Sequence, residues 1–497
     1  MNSKMRLASN TFYNLINTAF AGVFGLATSI IVARALGSTL LGEYSYMLWL
    51  IGMLTLMINA GLPMAVTKYI AEYSGRNDLT TSRNIFAAIL KLEITASIIT
   101  SLIVASLSYY WASETLRKNL LLLCSINIIP IVMARIYYSA AAGFQKYQIL
   151  VKASLITSPI QFMLIALILF SGYSVSGLII ANIIGSTLNL FILWYFVKRE
   201  FKEIPGQTLP LDISLKKRVT KYSLSVSGII LIDAIVWQKS EVFFLERFSS
   251  VEEIAFYSLA FTLGYMAMQI PAVFSSLLIP YFSEIHGQKD SKSLEIGYIN
   301  STRYLALISF PIGIGGAIIS APLIELAYGK EYLSAVIPAQ MILIFNAFGA
   351  VSRASSSILY GTEEQSFILK WGSIVAISNI LLDLIMIPKY GAVGAAIANS
   401  SAQMAGVIGG VVYINKEFGI SYPLKTVIKI FISSIIMGIG AYIIYSTLNK
   451  YMGFASLTLA ITLLLSPFFY IFILWLTGAI NAEDRKLIYT LLTRTKS

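Results

Sequence analysis

Eight ionisable side chains sit in stretches too apolar to be loops: Lys91, Arg135 and Lys239 among the bases, and Glu93, Asp233, Glu241, Glu325 and Asp383 among the acids. A charge at the centre of a bilayer costs about 2.5–3.5 kcal/mol on insertion scales, so it normally faces a wet cavity, a partner or the interface. The chemistry open to such residues is ligand recognition and ion binding. Arg135, in NIIPIVMARIYYSAAAG, offers a guanidinium fork that can hold a phosphate or diphosphate through paired hydrogen bonds. The plainer alternative is a side chain snorkelling towards the surface marked by Lys146. Lys239 and Glu241 are two residues apart in SGIILIDAIVWQKSEVFFLERF, a spacing that puts them on different helix faces. Each is therefore expected to meet another helix, with Lys239 and Asp233 as cavity candidates and Glu241 as a coupling acid. Asp383, two turns before Pro388, either takes a coupling H+ or Na+ or lies near the outer headgroups. Lys91 and Glu93 are expected at one interface and Glu325 at the other.

Neutral polar residues form a second set. Asn10, Asn14, Asn17 and Thr18 share one helical face by their spacing, which serves either to line a cavity or to pack helices. Asn14 and Asn17 join the cavity candidates. Asn59, Asn127, Gln161, Asn182, Gln269, Asn346, Asn379 and Asn399 extend the pattern.

The elements carrying these residues must be membrane helices. The mean hydropathy is +0.76, and only 12% of the 497 residues are charged, about half the soluble norm of roughly 25%. One cysteine and one histidine leave no disulfide framework and no cysteine- or histidine-based metal site. No Walker loop, nucleophile elbow or dinucleotide fingerprint is present, so neither an enzyme nor an ATP-driven pump is expected. The net charge of +12 falls on no basic stripe suited to nucleic acid.

Apolar runs long enough to cross a bilayer, roughly 20 residues each, number about fourteen. They group as six, six and two because the chain repeats itself. GFQKYQILVKAS at Gly143 matches GTEEQSFILKWGS at Gly361, and YSVSGLIIAN ending at Asn182 matches YGAVGAAIAN ending at Asn399. Tyr44 in GEYSYMLWL matches Tyr257 in AFYSLAFTL, and the segment ending at Asp78 matches the one ending at Asp290. Arg135 and Arg353 stand equally far before Gly143 and Gly361, as a pseudo-symmetric pair. The expected organisation is an amino-terminal bundle over 1–198, a cytoplasmic linker over 199–218, a second bundle over 219–415, and two further helices with a tail over 416–497. With the amino terminus inside, 26 Lys and Arg fall on cytoplasmic connections and 7 on outer ones. Both termini are therefore expected in the cytoplasm. The first span is too long for a cleavable signal peptide.

Finally, VARALGSTLLGEYSYMLWL, KSEVFFLERFSSVEEIAFYSLA and YGAVGAAIAN resemble the oligosaccharide flippase and polysaccharide exporter family of the multidrug/oligosaccharidyl-lipid/polysaccharide superfamily. The resemblance implies an all-α fold with two six-helix bundles in a V around a cationic cavity. It also implies a plasma-membrane transport unit, monomeric in action, that moves a polyprenyl (pyro)phosphate-linked oligosaccharide outward by alternating access, in a pathway with glycosyltransferases or a polymerase and without a bound cofactor. Two relatives are the alternatives. Flippases for lipid-linked peptidoglycan precursors carry arginines in the first helices, whereas this first span is uncharged from Leu7 to Ala33. Cation-coupled multidrug antiporters place an acid in the first helix, and none is present here.

Overall fold

In a bilayer every backbone amide needs an internal partner, and a run of apolar residues satisfies that need by coiling into a helix. The computed structural model describes residues 3–111, 115–202, 209–236 and 238–479 and is helical throughout, with no strand among them. The helices are α1 (Ser3–Asn59), α2 (Leu62–Gly75), α3 (Leu79–Trp111), α4 (Thr115–Gly143), α5 (Tyr147–Phe170), α6 (Val175–Lys202) and α7 (Ile213–Val236). There follow α8 (Glu241–Phe248), α9 (Val251–Ala267), α10 (Gln269–Ser276), α11 (Leu278–Gly287), α12 (Ser291–Ile318) and α13 (Ser320–Ala327). A 3₁₀ turn (Lys330–Ala335) then leads into α14 (Val336–Gly361), α15 (Gln365–Phe418), α16 (Leu424–Met452) and α17 (Ala455–Leu476).

Ten of the described helices are long and apolar enough to cross a membrane, and two bent pairs bring the number to 12. Two of the ten are longer than any bilayer requires and break at a glycine in a non-helical conformation, α1 at Gly37 (φ 73°) and α15 at Gly391 (φ 54°). Only glycine enters such backbone without a Cβ penalty. Counting each of these as two spans gives the fourteen that hydropathy predicts.

The repeat is visible in the backbone. Asp78 and Asp290 cap the helices that follow them, each accepting from the backbone amide three residues on, Thr81 and Ser293, at 3.0 Å. In both copies the residue before the cap has a positive φ, 60° at Asn77 and 56° at Lys289. Two residues after the paired glycines, Gln145 and Glu363 also have positive φ. The glycines themselves permit close helix approach. A Cβ on Gly143 would lie 2.9 Å from Ile70 Cβ, and one on Gly361 would lie 2.8 Å from Phe282 Cβ.

Two compact units result, one covering Met1–Ala234 with Ser250–Ala255 and the other covering Ile235–Ser249 with Phe256–Ser497. The first includes α7, one helix more than the sequence boundaries allot to it. Arg218 on α7 makes a two-pronged ion pair with Glu72 of α2, and its carbonyl accepts from the Tyr69 hydroxyl. The core of this unit gathers Tyr69, Ile70, Ile85, Tyr137, Leu150 and Val197 from α2 to α6. In the second unit, α16 joins the core through Phe431, whose ring centroid is 5.4 Å from those of both Phe310 and Phe348. The Tyr470 hydroxyl of α17 donates to the Leu307 carbonyl at 3.2 Å. The two trailing helices are thus integral to that unit.

Candidate functional site

A polar cluster of the second unit gathers where α7 gives way to α8. Helix α7 ends at Val236 and α8 begins at Glu241, so carbonyls at the end of α7 lack the amides that would continue the ladder. Side chains take their place. Asn379 Nδ2 donates to Ile235 O and Asn399 Nδ2 to Val236 O, both at 3.3 Å, and Ser240 Oγ donates to Ile235 O at 2.8 Å.

Glu241 is fully buried at the centre of this knot. Its carboxylate accepts from the Tyr257 hydroxyl of α9 at 2.7 Å, from Asn399 Nδ2 at 2.8 Å and from Asn379 Nδ2 at 3.3 Å, the two asparagines coming from opposite sides of the α15 break. One turn beyond Asn379, Asp383 is also fully buried and accepts from the same Nδ2 at 3.3 Å. Gln403 Nε2 supports Asn399 from behind, at 2.7 Å. Asn379 Oδ1, Asp383 Oδ1 and Gln403 Oε1 remain buried without a hydrogen-bond partner. Among the described residues neither carboxylate has a cationic partner. Two such groups sharing one amide, away from water, are able to take up a proton or a cation. Oxygen donors from carboxylates, amide side chains and freed carbonyls suit a hard monovalent cation at the break of a discontinuous helix.

The structure sorts the residues singled out by sequence. It joins Glu241 and Asp383 through Asn379. Lys239 does not join them. It sits half-buried in the break, where its Nζ donates to Ser258 O at 3.3 Å and lies 5.4 Å from the Phe261 ring centroid. Asp233 is exposed on α7, and Asn17 is half-buried on α1. The side chain of Asn14 lies outside the described residues. Arg135 on α4 and Arg353 on α14 are both exposed on helices whose adjacent positions are buried. Glu93 is wholly buried, and among the described residues neither of its carboxylate oxygens has a hydrogen-bond partner. Lys91, two residues away, is the exposed member of that pair. Arg303 is buried in α12.

Tyr257 and Gln403 were not singled out. The repeat carried a signal for the first, because the network has a neutral counterpart in the other unit. There Asn182 Nδ2 donates to the Tyr44 hydroxyl at 2.8 Å, and Gln161 Nε2 donates to Asn182 Oδ1 at 2.9 Å. Tyr44, Gln161 and Asn182 occupy the positions of Tyr257, Asn379 and Asn399. The positions of Glu241 and Asp383 are filled by Thr28 and Ile165, so the acids belong to one copy only.

These features define a multi-pass helical membrane protein of the MOP superfamily architecture. The structure superposes on the lipid II flippase MurJ in an inward closed conformation with a TM-score of 0.74 at 19% identity, covering 93% of this chain and 97% of that one. It also superposes on an inward-facing MATE-family multidrug resistance transporter of the MOP superfamily with a TM-score of 0.68 at 15% identity, covering 80% and 94%. Residues 31–337 match the family model described as polysaccharide biosynthesis protein, and the chain belongs to that family. Residues 247–465 match the model of the lipid II flippase MurJ. Among curated proteins, the chain is 21% identical to the lipid II flippase MurJ of Bacillus subtilis, with 90% of each chain aligned. It is 22% identical to the teichuronic acid biosynthesis protein TuaB of the same organism, over 47% of this chain and 49% of that one. An uncharacterized membrane protein of Methanocaldococcus jannaschii is 25% identical over 80% of this chain and 82% of its own.

Proposed function

We propose that this protein is a flippase that carries a polyprenyl (pyro)phosphate-linked oligosaccharide from the cytoplasmic to the outer leaflet of the plasma membrane by alternating access. The observation that carries the reading is the polysaccharide biosynthesis match over residues 31–337, which runs across the repeat junction of a chain with the MurJ fold. The relatives named for lipid II flipping and teichuronic acid synthesis support a lipid-linked glycan as the cargo class.

Within this reading, Arg135 of the first unit and Arg353 of the second are each a candidate to engage the phosphate. Each lies eight residues, roughly 12 Å of helix, before its paired glycine, and each is exposed. Guanidinium groups hold phosphate oxygens bidentately in a way a lysine cannot. Lys239 supplies a third cation, and Glu241 with Asp383 takes up the coupling proton or cation. The test is reconstitution in proteoliposomes with a fluorescent lipid-linked oligosaccharide. Translocation that falls at least tenfold in the Arg135→Ala/Arg353→Ala double variant, with the protein still inserted, is the expected result. Unchanged translocation removes the arginines from the site. Export of cationic dyes without movement of the lipid-linked glycan would favour a drug antiporter instead.

A further inference from the structure

The first unit contains a cavity of about 330 Å³ between α1 beyond Gly37 and helices α4, α5 and α6. This volume falls at the lower end of ligand pockets, roughly 300–1,000 Å³, but the lining differs from the usual apolar one. Thr55, Asn127, Thr157, Gln161, Ser186 and Asn189 all face it, together with Asn182, and no charged residue does.

Two observations show that these side chains offer more than the hydrogen bonds that join the helices. The first is their unused hydrogen-bonding capacity. Ser186 Oγ donates to Asn127 Oδ1 at 2.6 Å, and Gln161 uses its nitrogen on Asn182. Among the described residues this leaves the Asn127 amide nitrogen, the Gln161 amide oxygen and both ends of Asn189 without a hydrogen bond. The second is the repeat. Under the offsets that carry Tyr44 onto Tyr257, Gly143 onto Gly361 and Asn182 onto Asn399, Thr55 corresponds to Met268, Asn127 to Phe345, Thr157 to Val375 and Gly52 to Tyr265. The same helices are built in the second copy with bulky or apolar residues at those positions. The scaffold therefore does not require Thr55, Asn127 and Thr157 to be polar, whereas Gln161, Asn182 and Ser186 keep polar counterparts in Asn379, Asn399 and Gln403.

We infer that this cavity is the subsite for an uncharged sugar ring of the cargo, an inference that rests on the flippase reading. Each sugar hydroxyl both donates and accepts, and carboxamides and hydroxyls from several helices offer both in return. A phosphate would call for cations and a cationic drug for an acid, while an acyl tail would leave the amides unpaired at a cost. The juxtaposition of free amide donors and acceptors in a neutral hollow fits a hexose or N-acetylhexosamine.

The test uses the full-length protein in nanodiscs. Binding is measured for a short-chain polyprenyl diphosphate, for the same lipid carrying glucose, galactose or N-acetylglucosamine, and for the three free methyl glycosides. The variants Asn127→Phe and Gly52→Tyr introduce the second copy's residues, and a Cβ on Gly52 meets no atom within 4 Å; Asn189→Ala is a milder third. The wild type is expected to bind at least one glycosylated lipid tenfold or more tightly than the bare lipid, and the filling variants to bring all four within twofold. Persistence of the preference in the filled, folded variants overturns the subsite, as does equal binding of all four lipids by the wild type. Tight binding of a free methyl glycoside that the variants abolish, without any lipid preference, overturns the assignment to cargo. If the wild type binds none of the lipids, the flippase reading itself fails and takes the subsite with it.

Discussion

At the residue scale, the Glu241 knot makes the sharpest demands. Its carboxylate is the acceptor for Tyr257 and Asn399, which are themselves buried or held in place by buried neighbours. Replacing Glu241 by Leu leaves the buried Tyr257 hydroxyl without an acceptor, at about 1–3 kcal/mol, and leaves Asn399 Nδ2 with Val236 O alone. The variant should melt well below the wild type in detergent. Glu241→Gln keeps the shape and one acceptor oxygen, so it should stay closer to the wild-type melting temperature while losing the dependence of transport on an imposed ion gradient. Wild-type ion dependence in Glu241→Gln would exclude this carboxylate from coupling. The acids themselves could be read in the sequence, since charge in an apolar run is conspicuous. Their meeting could not, because Glu241 and Asp383 are far apart in the chain and it is the break after Val236 that turns one towards the other. The burial of Glu93 was hidden for a related reason: distance along a helix gives depth but not the face, and Lys91 took the exposed face while Glu93 turned inward.

At the scale of elements, the paired glycines and paired caps make separable predictions. Gly361→Ala would put a Cβ 3.0 Å from the Ser283 backbone nitrogen as well as against Phe282. Because backbone cannot swing aside as a side chain can, the cost should be that of overpacking, about 1–3 kcal/mol. Gly75, where a Cβ meets nothing within 4 Å, is the control: Gly75→Ala should leave the melting temperature unchanged or raised. The caps respond to pH. Hydrogen bonds from the Thr81 hydroxyl and amide hold the Asp78 carboxyl below its usual range, and those from Ser293 do the same for Asp290. A carboxyl depressed in the fold adds stability that is complete above the unfolded value, near 3.9, and disappears as pH falls through the folded value. The melting temperature of Asp78→Ala/Asp290→Ala should accordingly lie below wild type at pH 7 and converge on it towards pH 3. A gap that persists or widens in acid would show that the caps do not act through the ionised carboxylates.

At the scale of the whole molecule, the number of spans and the duplication were legible because both rest on composition and spacing, which survive without coordinates. The two glycine breaks were not, since Gly37 and Gly391 lie in sequence that continues helical on both sides. The assignment of sides to the membrane follows from charge alone. Cations are strongly biased to one set of connections because they resist translocation during insertion, and the basic α7 end carries Lys216, Lys217, Arg218 and Lys221. That bias predicts which positions an impermeant thiol reagent can reach. Cys124, the single native cysteine, is buried, so a Cys124→Ala background should be tolerated and silent. In it, Lys330→Cys, whose side chain is 84% exposed, should label on intact cells. Lys216→Cys, exposed at the start of α7, should label only after permeabilisation. The reverse pattern would invert the molecule and with it the direction of transport. Labelling of both positions on intact cells would put the linker outside and contradict the three spans between them. An inside location for Lys216 would place the arginine ends of α4 and α14 on the cytoplasmic side, where a newly made phosphate-linked cargo is first available.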